Sequence, residues 1–317
     1  MKIPTIGLST CWLSHRHSDG YEMLKEIADL GFEWVELSHG IRPFLVEGIE
    51  RAVKEGLVRI ISVHNFCPLP GSATVASPNY YEPCAPRRAE RNLWLRHTRD
   101  TLEFAAKVQA QYCVLHSGSI RSLRSKMVPA LNQGFQQKGE GLGRFKNEQQ
   151  HLYHLQELMK QLRHEVPIYL KRLRQSLRQI LPLAREYGIR IGLENRESLL
   201  ELPLDSEMDE ILEDWDKADL VGYWHDFGHA QIKELRGVIR HKQLLKHNEG
   251  RLFGFHVHDV SKNGKDHQAL GSGVINFEAL SPFFQIGHPL ILELSPEVKK
   301  EAVVASHHFL YELTRFN

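Results

Sequence analysis

Trp224-His225-Asp226-Phe227-Gly228-His229-Ala230 is the stretch around which the chain is organised. An apolar run from Ala218 to Tyr223 leads into it, and an acid, a glycine and a second histidine follow. Buried parallel strands are apolar on both faces, so a polar end indicates side chains that face a site rather than the core. The stretch therefore predicts a buried strand whose last residues belong to a functional site.

The same pattern recurs along the chain. Five further strand-like runs end in a histidine or a carboxylate: Val63-His64-Asn65, Leu115-His116-Ser117-Gly118, Leu193-Glu194-Asn195, Phe255-His256-Val257-His258-Asp259 and Leu292-Glu293-Leu294. One polar strand end is ordinary. Six of them indicate that the strand ends converge on a metal or a catalytic centre.

Strand-like and helix-like segments alternate over the 317 residues. Eight strands are predicted, at residues 6–10, 34–38, 59–64, 112–116, 190–194, 220–226, 252–258 and 289–293. This α/β alternation favours a (β/α)8 barrel, which typically needs about 250 residues. A doubly wound sheet is the alternative, but Ser9-Thr10-Cys11-Trp12 lacks the Gly-rich phosphate loop expected after its first strand. We therefore predict one barrel domain over residues 1–317.

A basic helical insertion is predicted after strand 4, at about residues 120–167. Thirteen Lys/Arg stand against five Asp/Glu between Arg121 and Glu186. Pro167 is expected to separate a helix at 148–163 from another at 168–187. A solvated face, a lid over a phosphorylated substrate, an oligomer contact and a nucleic-acid patch all stay open for this segment. The Pro-rich loop 65–87 is long enough to be functional or mobile.

The amino-acid composition limits which partners and which cellular location are expected for the protein. The chain is 42% hydrophobic and 25% charged with a net charge of +1, so no global field draws it to nucleic acid or to a membrane. Four cysteines without a CxxC pair favour reduced thiols. With no signal-peptide pattern and no run near the roughly 20 apolar residues of a membrane helix, we expect a cytoplasmic protein.

The polar strand ends offer mixed donors. Two glutamates on different strands, Asp226 and a histidine make a set of three oxygen ligands and one nitrogen ligand. Carboxylate and imidazole together suit Mn, Co, Mg or Zn, and no thiol stands at a strand end except near Cys67. We therefore expect a divalent metal ion as cofactor.

Five motifs in this order resemble the xylose isomerase-like TIM barrel superfamily: Gly192-Leu193-Glu194-Asn195, His225-Asp226-Phe227-Gly228-His229-Ala230, His256-Val257-His258-Asp259, His267-Gln268-Ala269-Leu270-Gly271-Ser272-Gly273 and Leu292-Glu293-Leu294. Each motif is short, but five with barrel spacing are specific. The superfamily contains sugar isomerases, ketose 3-epimerases, inosose dehydratases and the endonuclease IV family of abasic-site nucleases.

The resemblance to the epimerase branch implies a metal site and a mechanism. Its metal ligands would be Glu194, Asp226, His256 and Glu293, and the two glutamates would also be the catalytic acids and bases. In this chemistry a carboxylate removes a proton next to a carbonyl, and a divalent ion stabilises the resulting enediolate. His229 matches a position that contacts substrate oxygen.

The resemblance to the nuclease branch uses more histidines. His64, His116, His229 and His267 match its additional zinc ligands, which makes them either metal ligands or, in the isomerase interpretation, substrate-binding residues. That branch expects an aspartate two residues before His267, where this chain has Lys265, and Asp266 is out of register. This departure disfavours a third metal. His258 is assigned to a structural role or to substrate contact.

The sequence thus predicts a divalent-metal-dependent isomerase or epimerase of a small sugar, sugar phosphate or polyol, with neither a membrane nor nucleic acid as partner. Self-association stays open. Two alternatives stand beside it: an endonuclease IV-like abasic-site DNA repair nuclease, and a non-catalytic binding protein that keeps the barrel.

Overall fold

Eight parallel strands close into a barrel in chain order, which confirms the predicted (β/α)8 architecture. The computed structural model describes residues 5–121, 148–205, 207–213, 215, 219–284 and 287–315, with the side chains of residues 148–152 left out. Strands β1 to β8 span Ile6–Ser9, Trp34–Leu37, Arg59–His64, Tyr112–Leu115, Arg190–Glu194, Val221–Asp226, Leu252–Val257 and Leu290–Leu292.

Helices surround the barrel. Within the described ranges, helices α1 to α9 span Gly20–Asp29, Val46–Lys54, Arg88–Lys107, Glu148–Glu186, Met208–Glu213, Phe227–Leu235, His241–Asn248, Phe277–Leu280 and Lys300–Arg315. None of them combines the length and the apolar composition that a membrane span requires. All four cysteines are free thiols, as expected.

A large side chain packs inside the barrel below the strand ends. Trp224 of β6 is fully buried and its indole stands edge-on to His256, with 5.4 Å between ring centroids. Glycines on the neighbouring strands make room for it, since a Cβ at Gly192 or Gly254 would come within 3.0 or 2.6 Å of the indole. The interior is therefore filled beneath the site, as in barrels of this kind.

The long helix α4 corrects one expectation. Pro167 does not separate two helices, because α4 is continuous from Glu148 to Glu186 and contains Pro167 and Pro182. Its buried side runs through the proline and comprises Leu158, Leu162, Val166, Leu170, Leu173 and Leu177. Burying each such side chain stabilises by about 1.5–3 kcal/mol, so the six together outweigh the roughly 3 kcal/mol that an internal proline costs.

The predicted insertion falls mostly outside the described residues. Arg124, Lys126 and the Gly-rich stretch 134–143 belong to that part of the chain. We retain as a proposal that residues 1–317 form one barrel domain with an insertion at about 120–167.

The segment after β6 forms two helices. α6 begins at Phe227, directly after the strand, and α7 is separate from it. Gly237 lies between them with φ of +72°, a conformation that favours glycine and ends α6. The early start of α6 brings its first turn into the site.

Candidate metal centre

Asp226 is held at the junction of β6 and α6. It is the N-cap of α6, and its Oδ1 accepts from the backbone N–H of His229 at 2.7 Å. Its Oδ2 accepts from Nε2 of His258 at 3.0 Å. A Cβ at Gly228 would lie 2.0 Å from Cε1 of His258, so the glycine provides the space that this imidazole occupies. The glycine at position 228 is therefore explained by the close approach of the His258 ring to the backbone.

The four predicted metal ligands come together. Glu194, Asp226, His256 and Glu293, at the ends of β5 to β8, each offer a ligand atom within 4.8 Å of the others. All four are at most 5% exposed. Nδ1 of His256 lies 2.9 Å from Oε1 of Glu194 and 3.3 Å from Oε2 of Glu293. We call these four residues the central cluster.

Glu36 orients His256, and sequence reasoning missed it. It is fully buried on β2 and accepts from the hydroxyls of Ser9 at 2.9 Å and Ser62 at 2.7 Å. Its Oε2 also lies 3.0 Å from Nε2 of His256. An ionised carboxylate only accepts, so the Nε2 proton of His256 points at Glu36 and Nδ1 faces the central cluster.

Two further groups flank the central cluster. His64 and His116 approach Glu194 from one side, with Nε2–Oε2 distances of 3.5 and 2.7 Å. On another side His229, Asp266 and His267 offer ligand atoms within 4.8 Å of one another. Asp266 therefore lies beside His229 and His267, although its position in the sequence motif is out of register.

Lys265 points away from this flank. Its ammonium group pairs with Glu297. His267 has φ of +52°, and this loop conformation decides which side chain faces the site. Asp266 rather than Lys265 thus lies beside His229 and His267, because register along a loop does not determine the direction of a side chain.

Oxygen acceptors orient the four flanking histidines. Nδ1 of His64 lies 3.1 Å from Asn65 O, Nδ1 of His116 2.9 Å from Asn79 Oδ1, Nδ1 of His229 3.0 Å from Asn195 O, and Nδ1 of His267 2.8 Å from Glu293 O. His116 has acceptors at both nitrogens, because its Nε2 lies 2.7 Å from Oε2 of Glu194, and Nδ1 of His229 also lies 3.3 Å from the donor Nη1 of Arg196. At His64 and His267 the oxygen accepts a proton from Nδ1, so the neutral imidazole presents an Nε2 lone pair. This is the orientation that a metal-binding histidine needs.

His258 has the opposite orientation. Its Nδ1 accepts from the backbone N–H of His267 at 2.9 Å, and its Nε2 donates to Asp226. Both ring nitrogens of His258 are therefore engaged. This supports the structural role that the sequence left open, in which His258 orients Asp226.

Glu194 belongs to a closed ring of polar contacts between side chains. His116 contacts Glu194 through Nε2 and Asn79 through Nδ1; Asn79 donates to Glu201 at 2.9 Å. Arg196 completes the ring, with Nε 3.4 Å from Oε1 of Glu201 and Nη1 3.2 Å from Oε2 of Glu194. Asn79 belongs to the Pro-rich loop, so the ring attaches that loop to the site.

Arg196 shapes the electrostatics of the ring. Burial alone would raise the pKa of Glu194, but the positive charge of Arg196 holds it well below its usual range. Burial, reinforced by the positive charge of Arg196, lowers the pKa of His116 to about 3 and that of His229 to about 4. Both imidazoles are neutral near pH 7, as metal ligands must be.

The charges of the site fit a bound cation. Glu36, Glu194, Asp226 and Glu293 are buried carboxylates, against which stands the guanidinium of Arg196. Buried charges are normally paired or coordinate metals. The excess of negative charge and the donor set of carboxylates and oriented imidazoles therefore suit a divalent ion.

Two other histidines of the site respond to the same excess of negative charge. Burial alone would lower the pKa values of His64 and His256, but the surrounding carboxylates raise both.

The family model of the xylose isomerase-like TIM barrel matches residues 24–313, and the chain belongs to this family. The resemblance seen in the motifs is thereby confirmed. A 132-residue stretch is 30% identical to an uncharacterized protein of Methanocaldococcus jannaschii and covers 40% of this chain and 44% of that protein. The match thus spans less than half of that relative.

Solved structures share the fold over nearly the whole chain. A D-tagatose 3-epimerase-like protein superposes with a TM-score of 0.70 at 20% identity, covering 98% of this chain and 97% of its own. The 3-keto-D-glucoside 4-epimerase YcjR of E. coli gives a TM-score of 0.65 at 16% identity, with 98% and 99% covered.

Proposed function

We propose that this protein is an isomerase or epimerase of a sugar, sugar phosphate or polyol that depends on a divalent ion such as Mn, Mg, Co or Zn. One observation carries the proposal. Two buried glutamates from β5 and β8, Glu194 and Glu293, contact the same nitrogen of His256 within the central cluster. Two carboxylates held this close together can remove and return a proton at carbon.

Glu194, Asp226, His256 and Glu293 would hold the ion, which would act as a Lewis acid towards negative charge on substrate oxygens. Glu194 would accept the first proton, and Arg196 keeps it ionised before it does. Glu293 would exchange the second proton.

The flanking histidines supply the remaining contacts. His229 and His267, and on the other side His64 and His116, would bind substrate oxygens through Nε2. His258 would keep Asp226 in place. The names of the similar structures, a D-tagatose 3-epimerase-like protein and a 3-keto-D-glucoside 4-epimerase, support the proposed class of activity, as does the family. A cytoplasmic location and a small-molecule rather than a nucleic-acid partner complete the proposal.

Product analysis tests the activity. The purified protein, loaded with Mn, Co, Mg or Zn in turn, is incubated with ketoses and aldoses of four to six carbons and with their phosphates. We expect at least one sugar to be converted to its epimer or isomer, and a chelator to abolish conversion. No conversion across the panel would favour the non-catalytic binding protein.

Metal analysis tests the ligands separately. The double variant Glu194→Gln/Glu293→Gln should lose its stoichiometric metal. Retention of the metal would refute the ligand assignment, whatever the substrate.

A second candidate function is metal-dependent phosphodiester hydrolysis. The observation that favours it is the combination of three adjoining ligand groups, His64–His116–Glu194, the central cluster and His229–Asp266–His267. Three ions per chain and incision of an abasic duplex would establish it. One ion and no incision would leave the isomerase proposal.

A further inference from the structure

A cavity of about 330 Å³ with a mixed polar and apolar lining adjoins the metal centre. Segments after β1, β2 and β8 enclose it. Its buried wall contains Ser14 and Ser38, at 6% and 1% exposure, and Arg42 reaches it half-buried. Exposed apolar side chains, including Phe44 and Ala76, stand at its mouth. None of the groups discussed above as metal ligands lines it.

The cavity begins one side chain away from the metal ligands. His39, in its wall, stands edge-on to His64 with 5.3 Å between ring centroids. Cys11, also in the wall, donates its thiol to the carbonyl of Leu294 at 3.4 Å, and Leu294 directly follows Glu293. The wall of the cavity thus contacts His64 and the residue that follows Glu293, so the cavity and the metal centre are neighbours.

The charge of the cavity is opposite to that of the metal centre. Arg42 donates Nη1 to Ala73 O at 2.9 Å and Nη2 to Thr74 O at 3.1 Å. These bonds use two of the five guanidinium N–H groups, and three remain. Within the described ranges no carboxylate lies at ion-pair distance from Arg42, and none lines the cavity.

Three imidazoles also line the cavity. His17 pairs with Glu26 at 2.8 Å, His15 is exposed, and His39 stands against His64. Arg42 is the group of the cavity wall whose positive charge does not depend on pH near neutrality.

We propose that this cavity binds an anionic terminal group, a phosphate or a carboxylate, at the far end of the substrate, with Arg42 as its counter-ion and the hydroxyls of Ser14 and Ser38 as hydrogen-bond partners. The inference rests on the proposed function and narrows it to acidic sugar derivatives. A guanidinium without an acidic partner beside two buried hydroxyls is a suitable receptor for such a group. A volume at the low end of small-molecule pockets fits one substituent rather than a polymer.

Equilibrium binding tests the proposal without requiring turnover. The Mn-loaded protein is titrated calorimetrically with alditols of five and six carbons, with their terminal phosphates and with the corresponding aldonates, none of which can epimerise through a carbonyl. We expect the phosphate or the aldonate to bind on the order of tenfold or more tightly than the neutral alditol. The phosphate and aldonate series distinguish the two sources of negative charge.

Amino-acid substitutions test whether the preference for anionic ligands arises in this cavity. Arg42→Gln should remove the preference for the anionic ligand and leave alditol binding within about twofold, whereas Arg42→Lys, which keeps the charge, should retain part of it. Arg51→Gln, an exposed arginine of α2, is the matched control. Because Arg42 also holds the loop carbonyls, Ala76→Trp at the mouth is a second variant that blocks the cavity and leaves those bonds intact.

Three results would overturn the proposal: equal affinity of the wild type for neutral and anionic ligands, an unchanged preference in Arg42→Gln, or an equal loss for both ligand classes in that variant. Failure of the proposed function is distinct from these. A protein that converts no sugar but binds anionic polyols through Arg42 would keep the cavity assignment and lose the isomerase.

Discussion

Nε2 of His256 lies 3.0 Å from Oε2 of Glu36, deep in the barrel, and this contact determines which nitrogen of His256 faces the three carboxylates of the central cluster. Because Glu36 only accepts, Nδ1 is the atom available to a metal ion. The carboxylate–histidine arrangement therefore belongs to the metal centre although Glu36 contacts none of the proposed ligands except His256.

Replacing this carboxylate by an amide tests its role. In Glu36→Gln the amide N–H₂ can donate to Nε2 of His256, which places the ring proton on Nδ1. We expect the affinity for Mn, measured by competition with a chelator, to fall about 10–100-fold. Glu33→Gln, an exposed glutamate just before β2, is the control. An unchanged affinity in Glu36→Gln would mean that Glu36 does not set the orientation.

Arg196 offers a test of charge compensation. Arg196→Gln leaves Glu194 and Glu201 without their shared cation, which should destabilise the metal-free protein by about 3–5 kcal/mol. Saturating Mn should restore part of this loss, because the ion takes over the compensation at Glu194. The measurement is Tm with and without Mn, with the exposed Arg190→Gln as control. Equal losses in both conditions would contradict the coupling.

We expect the buried His241 to make the folded protein less stable at acidic pH. Its Nε2 lies 2.9 Å from Nε2 of His225 in a buried chain, and burial lowers its pKa from 6.5 to about 3. Above pH 6.5 neither the folded nor the unfolded state protonates it, so it adds no pH dependence there. Below that pH the unfolded state binds a proton that the folded state refuses until about pH 3.

Stability should therefore fall by about 1.4 kcal/mol per pH unit from this residue between those limits. Denaturant unfolding from pH 7 to 4 measures the slope, and His241→Gln should reduce it. His247→Gln on the exposed side of the same helix should not. Identical slopes in the wild type and His241→Gln would rule out this contribution.

Gly228 tests the close approach at the start of α6. A methyl group there would lie 2.0 Å from Cε1 of His258 and displace it from Asp226. We expect Gly228→Ala to lower stability by about 1–3 kcal/mol and to weaken metal binding. Gly250→Ala, where a Cβ meets open space, should do neither. The double variant Gly228→Ala/His258→Ala should relieve the clash, and a full additive loss would speak against it.

Strand order and strand ends could be predicted from the sequence because both depend on local pattern. Apolar runs of four to six residues ending in a polar side chain placed Glu194, Asp226, His256 and Glu293 correctly at one end of the barrel. Glu36 escaped because it lies within an apolar strand and has no end signal around it. Its neighbours Ser9 and Ser62 come from other strands.

Contacts that depend on loop conformation and tertiary packing could not be predicted from the sequence. Asp266 faces His229 although the register of the motif assigned that place to Lys265, since backbone direction around His267 is a tertiary outcome. Arg196 and Asn79 meet at Glu201 through chain segments more than a hundred residues apart. Pro167 remained inside a helix because a buried apolar face continues on both sides of it.

The most direct test of the central claim, metal-dependent proton transfer by Glu194 and Glu293, is deuterium incorporation from D₂O at the carbons next to the substrate carbonyl, followed by NMR. We expect deuterium incorporation with the metal-loaded wild type. We expect no incorporation with Glu194→Gln or with Glu293→Gln, each measured at saturating metal. Conversion without any deuterium incorporation, or undiminished exchange in both variants, would contradict it.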